Sequence, residues 1–310
     1  MLGDLLTPKP FRGDVVAAGV VVLVIAAGMF ELRATGDVAP AIRAAVIGAL
    51  WAFVVTLAWR SPVESEEPRP YQSVLWIAAL LLAALGLAAL AEALGADGWL
   101  TGDGTRAWVL AALTAHAMVF SRARGSGVGT LLAAAGIAAL LAAFYSWLFF
   151  DPGEEPEGLR WLLLAVALAY VLNAVRLRDR MRRHAVAFAE AAGLALVGLA
   201  MTWNEVVFPV FQETPDATAG PGWTLLLLAG GLGLVGYGGV DRERGPIWIG
   251  ALVLLHFCAL ETDGGLLWWP VLLGLVAVLL LVTGLRPSTP APPSPDAERD
   301  PAAPLRFPRP

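Results

Sequence analysis

The stretch Gln72-Ser-Val-Leu-Trp-Ile-Ala-Ala-Leu-Leu-Leu-Ala-Ala-Leu-Gly-Leu-Ala-Ala-Leu-Ala-Glu-Ala-Leu-Gly95 decides the fold. Its one ionisable residue, Glu92, stands near its end. At ~1.5 Å per residue a helix of this length reaches about 36 Å, enough to cross the ~30 Å hydrocarbon core of a bilayer. Its apolar residues do not alternate with polar ones, so it is not a barrel strand. In lipid, a helix is the remaining way for one segment to satisfy its own backbone hydrogen bonds.

Similar runs lie to either side, at about 15–32, 40–59, 72–95, 105–121, 127–150, 159–177, 185–208, 222–240, 246–262 and 265–285. The expectation is an all-α, polytopic integral membrane protein of about ten transmembrane helices, forming one domain over 1–285. Composition agrees. Of 310 residues, 58% are hydrophobic and only 15% charged, against ~25% charged in soluble domains. The formal net charge of −5 and the lack of a basic groove argue against a nucleic-acid partner. The last 25 residues, from Arg286, hold nine prolines. Residues 286–310 are therefore expected to be a disordered, proline-rich cytoplasmic tail. Cys258 is the only cysteine, so no intramolecular disulfide or CxxC site exists. Lys9 and Arg12 precede the first apolar run as in a signal peptide, but Ile25-Ala26-Ala27-Gly28 is a poor cleavage site, so an uncleaved first span is expected. Arginine outnumbers lysine 20 to 1, which suggests a high-GC bacterial genome and, with the spans, an inner (plasma) membrane location.

Basic residues set the direction. With the N-terminus inside, 17 Lys and Arg fall on cytoplasmic loops and 4 (Arg33, Arg43, Arg106 and Arg160) on outer ones. Both termini are then cytoplasmic. Sorted by side, the net charge is +6 inside and −10 outside, with Glu190 supplying −1 within the membrane. The outer acids have no EF-hand spacing and read as a solvated rim, so no metal site is expected.

A repeat is visible at an offset of five spans. Trp108 and His116 in span 4 match Trp248 and His256 in span 9, and Leu80–Leu87 in span 3 resembles Leu226–Leu234 in span 8. Five spans per half is an odd number, so this would be a 5+5 inverted repeat, the plan of many secondary transporters.

Polar residues inside the spans are the candidate site, because they are costly there. His116 and His256 fall near the midplane. They are read three ways: lining a substrate or proton path, ligating a b-type haem from two helices, or each bonded, neutral, to a neighbouring helix. No further porphyrin signature surrounds them, and no cofactor is expected. Glu190 lies about two turns into span 7. A tight hairpin of spans 6 and 7 would bring Asn173 level with it and Arg176 one turn away, so Glu190 is read as partnered there, as a proton-coupling carboxylate, or as a protonated, lipid-shielded acid. Trp203-Asn204-Glu205 at the end of span 7 offers a vestibule edge or a solvated helix end. Trp147, Trp161 and Trp223 read as an outer aromatic belt, and Trp76 and Trp248 as an inner one. Gly230, Gly233, Gly236 and Gly239 form a stripe suited to close helix packing. Gly125-Ser126-Gly127 reads as a short turn with some capacity for an anion.

No GxSxG, HExxH, Walker A or Rossmann motif is present, and no span contains lysine. Enzymatic activity is not expected. The plan resembles that of the drug/metabolite-type permeases, with about 300 residues, ten spans and both ends inside. This is a resemblance of layout that transfers no site residue. The expected function is a small-molecule permease or secondary transporter, with His116, His256, Glu190 and Asn173 at or near its pathway. The alternative is a non-transporting membrane scaffold or a subunit of an envelope complex. The lipid bilayer is the one firm partner. Substrate, energy coupling and oligomeric state are not encoded in any motif.

Overall fold

Prolines mark several helix starts. Pro40 and Pro221 occupy first-turn positions, Pro70 opens a helix and Pro156 caps one. A first-turn residue has no use for its N–H, so proline costs nothing there. The computed structural model describes residues 13–61, 70–96, 102–149, 156–203 and 219–261, together with Gly274 and Val278.

Among the described residues the chain is all-helical. The helices are α1 (Gly13–Ala34), α2 (Pro40–Arg60), α3 (Pro70–Ala93), α4 (Asp103–Arg124), α5 (Gly127–Phe149), α6 (Glu157–Leu177), α7 (Arg182–Met201), α8 (Pro221–Asp241) and α9 (Arg244–Glu261). They follow the first nine expected spans closely. Seven are long and apolar enough to cross a membrane: α1, α2, α3, α5, α6, α7 and α8. This is a multi-pass membrane protein. By the same measure α4 falls short because Asp103, Arg106, Arg122 and Arg124 lie within it, and α9 falls short because it is brief. The expected tenth span lies outside the described residues except for Gly274 and Val278, both helical, and the expected tail lies wholly outside them. Contacts divide the chain into a unit over Met1–Asp263, described here, and a second over Gly264–Pro310.

Span 7 ends earlier than its apolar pattern suggests. Helix α7 stops at Met201, where the Thr202 hydroxyl donates to the Leu199 carbonyl at 2.8 Å and its N–H turns back to Leu199 and Ala200. Asn204 and Glu205 lie outside the described residues.

Consecutive helices pair closely as α2 with α3, α4 with α5, α6 with α7 and α8 with α9. Helix α3 also packs on α1 and α4, and α7 also packs on α5, α8 and α9. The order of packing therefore recurs at an offset of four helices. The α1–α3, α2–α3, α3–α4 and α4–α5 contacts return as α5–α7, α6–α7, α7–α8 and α8–α9. The two turns correspond as well. Helices α4 and α8 each end on a left-handed residue, Gly125 and Arg242, and each is followed by a new helix two residues later. The expected five-helix offset does not describe this packing. It would map α7–α9, whose backbones pack closely, onto α2–α4, whose backbones do not approach one another among the described residues. Four is even, so equivalent helices run in the same direction, whereas an inverted repeat would reverse them.

Helix α7 is the most enclosed: 67% of its apolar window is buried, against 39% or less in the other spanning helices. Alanine and glycine make this possible, because small residues let neighbouring backbones approach. A Cβ on Gly193 would stand 2.4 Å from Ile249 and 2.8 Å from Leu234. In α8 the close contacts fall at Gly230, Gly231 and Gly238. Gly233, Gly236 and Gly239, three of the four residues of the expected stripe, have open space at the Cβ position.

Candidate substrate groove

The backbones of α2 and α4 do not approach one another among the described residues, and both lie against α3. The space between them is a cavity of about 510 Å³. Its α2 wall is Ala41, Ala44, Ala45, Gly48 and Trp51, and its floor includes Leu82, Gly86 and Leu90 of α3. On α4, Ala112, Leu113 and His116 complete it. The groove exists because its walls are alanine and glycine. A Cβ on Gly48 would meet nothing within 4 Å, and one on Gly86 would make ordinary contact with Ile47 at 3.5 Å and the Gly48 nitrogen at 3.8 Å.

The polar point of the groove lies at one end of it, where Trp51 and His116 line the wall. The Trp51 indole Nε1 donates to His116 Nε2 at 3.4 Å. The His116 ring meets Phe120 edge-on at 4.1 Å, and Phe120 lies 4.1 Å from Trp76. Trp76 is fully buried, so it belongs to this aromatic chain rather than to an inner belt. His116 therefore bonds to a neighbouring helix, α2, and lines a cavity as well.

Take the end where α1 begins as the near end and the end where it finishes as the far end. At the far end Arg43, 1% exposed, is bonded to Glu31 of α1, to Thr35 Oγ1 at 3.1 Å and to Glu92 Oε2 of α3 at 2.5 Å. One guanidinium thus ties three helices together and sets the position of α2 beside the groove. By hydropathy alone Arg43 looks like a loop charge. Its counterpart Arg160, 4% exposed, donates to Thr202 Oγ1 at 3.2 Å and lies 4.1 Å over the Trp203 ring. A second cavity of about 320 Å³ lies nearby, where α4 and α5 meet α6 and α7. Alanines and leucines line most of it, with Arg106, Ser146 and Thr202 among the lining residues.

At the near end, His184 Nδ1 lies 2.6 Å from the Thr130 hydroxyl, which lies 2.6 Å from that of Ser121. This chain joins the α4–α5 turn to α7. His184 sits beside Arg182 and Arg183, so in sequence it reads as loop. The Gly125-Ser126-Gly127 turn is satisfied from within, since Ser126 Oγ accepts the Gly129 N–H at 3.1 Å as an N-cap.

The other candidate residues are not brought together. His256 bonds to the Leu252 carbonyl of its own helix at 2.9 Å, and the backbones of α9 and α4 do not approach one another among the described residues. The two histidines therefore do not face one another across a shared site. Asn173 is exposed and donates to the Ala169 carbonyl at 2.8 Å rather than to Glu190. Glu190 faces the first turn of α9, where a Cβ on Gly245 would stand 1.6 Å from its Oε1. It has no hydrogen-bond or ion-pair partner among the described residues, and Glu243 adds a like charge nearby. The hairpin does form, but it turns Asn173 outward and Glu190 toward α9.

Comparison with protein-family models, with curated proteins and with solved structures returns no match.

Proposed function

We propose that the chain is a small-molecule permease for lipophilic cargo, with the groove between α2 and α4 as its binding site. One observation carries this reading: a cavity of about 510 Å³ with alanine and glycine walls and a single polar pair, Trp51 and His116. That volume falls within the ~300–1,000 Å³ of small-molecule sites. Absence of a catalytic motif in the sequence favours a carrier over an enzyme. In this reading the near end, which holds ten of the fourteen described arginines, is cytoplasmic by the positive-inside rule. A tenth span would return the C-terminus to that side, and the membrane is a bacterial inner membrane. A pathway walled by His116 and His256 together forms no part of the proposal.

The test is transbilayer movement of a fluorescent long-chain amphiphile in proteoliposomes. Wild-type protein is expected to accelerate it over empty vesicles. Gly48→Phe, which grows into the open groove, is expected to return it to the background rate. Folded wild-type protein that leaves the rate unchanged would favour the alternative, a non-transporting scaffold or complex subunit.

A further inference from the structure

The polar pair also specifies the class of cargo, an inference that rests on the groove being the binding site. The Trp51 indole is a donor only, so His116 Nε2 must accept its N–H. A neutral imidazole accepting at Nε2 carries its own proton on Nδ1. The hydrogen-bond network thus assigns the tautomer, and Nδ1 is left as a donor. It has no partner among the described residues, although His116 lines the cavity. Around it the lining is alanine, glycine and leucine. The buried cation on the same helix as Trp51, Arg43, is bonded to Glu31 and Glu92 and is not among the lining residues. A donor in such a place selects an acceptor without charge. From Ala41 to Trp51 the groove runs about 15 Å at ~1.5 Å per residue, room for an extended alkyl chain.

We propose that the groove binds a long-chain lipophile bearing a neutral carbonyl, and that Nδ1–H of His116 donates to that oxygen. An acyl ester and an alkyl quinone share this chemistry. The corresponding positions of the second half lack it: Leu168 answers to Trp51, and Gly233-Leu234 to His116.

The test uses the full chain in lipid nanodiscs and three photoreactive probes of equal chain length: an alkane, an acyl ester and a quinone. Labelled peptides are mapped by mass spectrometry. Either carbonyl probe is expected to label the groove faces of α2 and α4 about fivefold more than the alkane, the factor given by one net hydrogen bond. Whichever carbonyl probe leads names the source. His116→Leu should bring both down to the alkane level, and His116→Gln, which keeps an N–H donor, should retain part of the preference. Gly48→Leu should remove labelling by all three, because its side chain enters open space. Should His116→Leu not fold, the Gln and Gly48 variants decide. Equal labelling by all three probes, or a carbonyl preference that survives His116→Leu, overturns this inference and leaves the permease reading standing. No enrichment of groove peptides over the exposed face of α1 by any probe overturns the groove itself.

Discussion

The fourth residue of α2 and the fourth residue of α6 are both buried arginines, Arg43 and Arg160, yet the next residue is Ala44 in one half and Trp161 in the other. That difference accounts for the open groove. In the second half Trp161 meets Trp223 of α8 at 4.9 Å, and Trp223 meets Trp203 at 5.8 Å. The backbones of α6 and α8 stay apart, but their indoles close the space between them at the far end. In the first half the third residue of α4 is Thr105, where α8 has Trp223. Neither Ala44 nor Thr105 carries a ring to reach across at that end, and a cavity remains. Two copies of one packing order thus differ in side-chain volume at a few positions, and among the described residues the cavity lies between α2 and α4 where Trp161 and Trp223 meet in the other copy.

Breaking the frame should have the largest effect. Arg43→Met leaves the half-buried Glu31 without its cation and releases Glu92, at a cost of about 3 kcal/mol. Thermal unfolding in detergent should show the loss, with the first half loosening first in limited proteolysis. Next comes a contact that only the second half makes closely, that of α7 on α9. Gly245→Ala drives a methyl into the Glu190 carboxyl and should cost about 2 kcal/mol. Adding Glu190→Ala should recover most of it, and independent additive losses would refute the contact. Arg160→Met should cost about 1.5 kcal/mol through loss of its bond to Thr202 and of its place over the Trp203 ring, read by thermal unfolding in detergent; an unchanged melting temperature would refute those contacts. The smallest stability effect, under about 0.5 kcal/mol, is expected from exchanging the residues that follow the two arginines. Ala44→Trp should nevertheless abolish photolabelling of the first groove, and Trp161→Ala should create labelling between α6 and α8.

The spans were legible because hydropathy is local. Boundaries such as 40–59 and 127–150 fall within a residue of α2 and α5, where proline, glycine and charge mark the ends. Trp76 and Trp161 show where this stops. Both stand near span edges and read as belt residues, but one is buried in the aromatic chain and the other closes a groove. Matching Trp108–His116 with Trp248–His256 gave a period that the packing of the described helices does not display, for a related reason. Alanine- and leucine-rich helices resemble one another at many offsets, and Trp248 is simply exposed. His116 was identifiable as a costly polar residue, but Trp51, its partner 65 positions away, was not.

By itself the sequence determined that this chain is helical and crosses a membrane. Those properties follow from the free energy of single segments in lipid, which depends on each segment's own residues. Tertiary structure decided which helices enclose space, that the packing repeats every four helices, and that Arg43 is a buried tie. These depend on which small residues from different helices meet, a relation between distant positions that no single span contains.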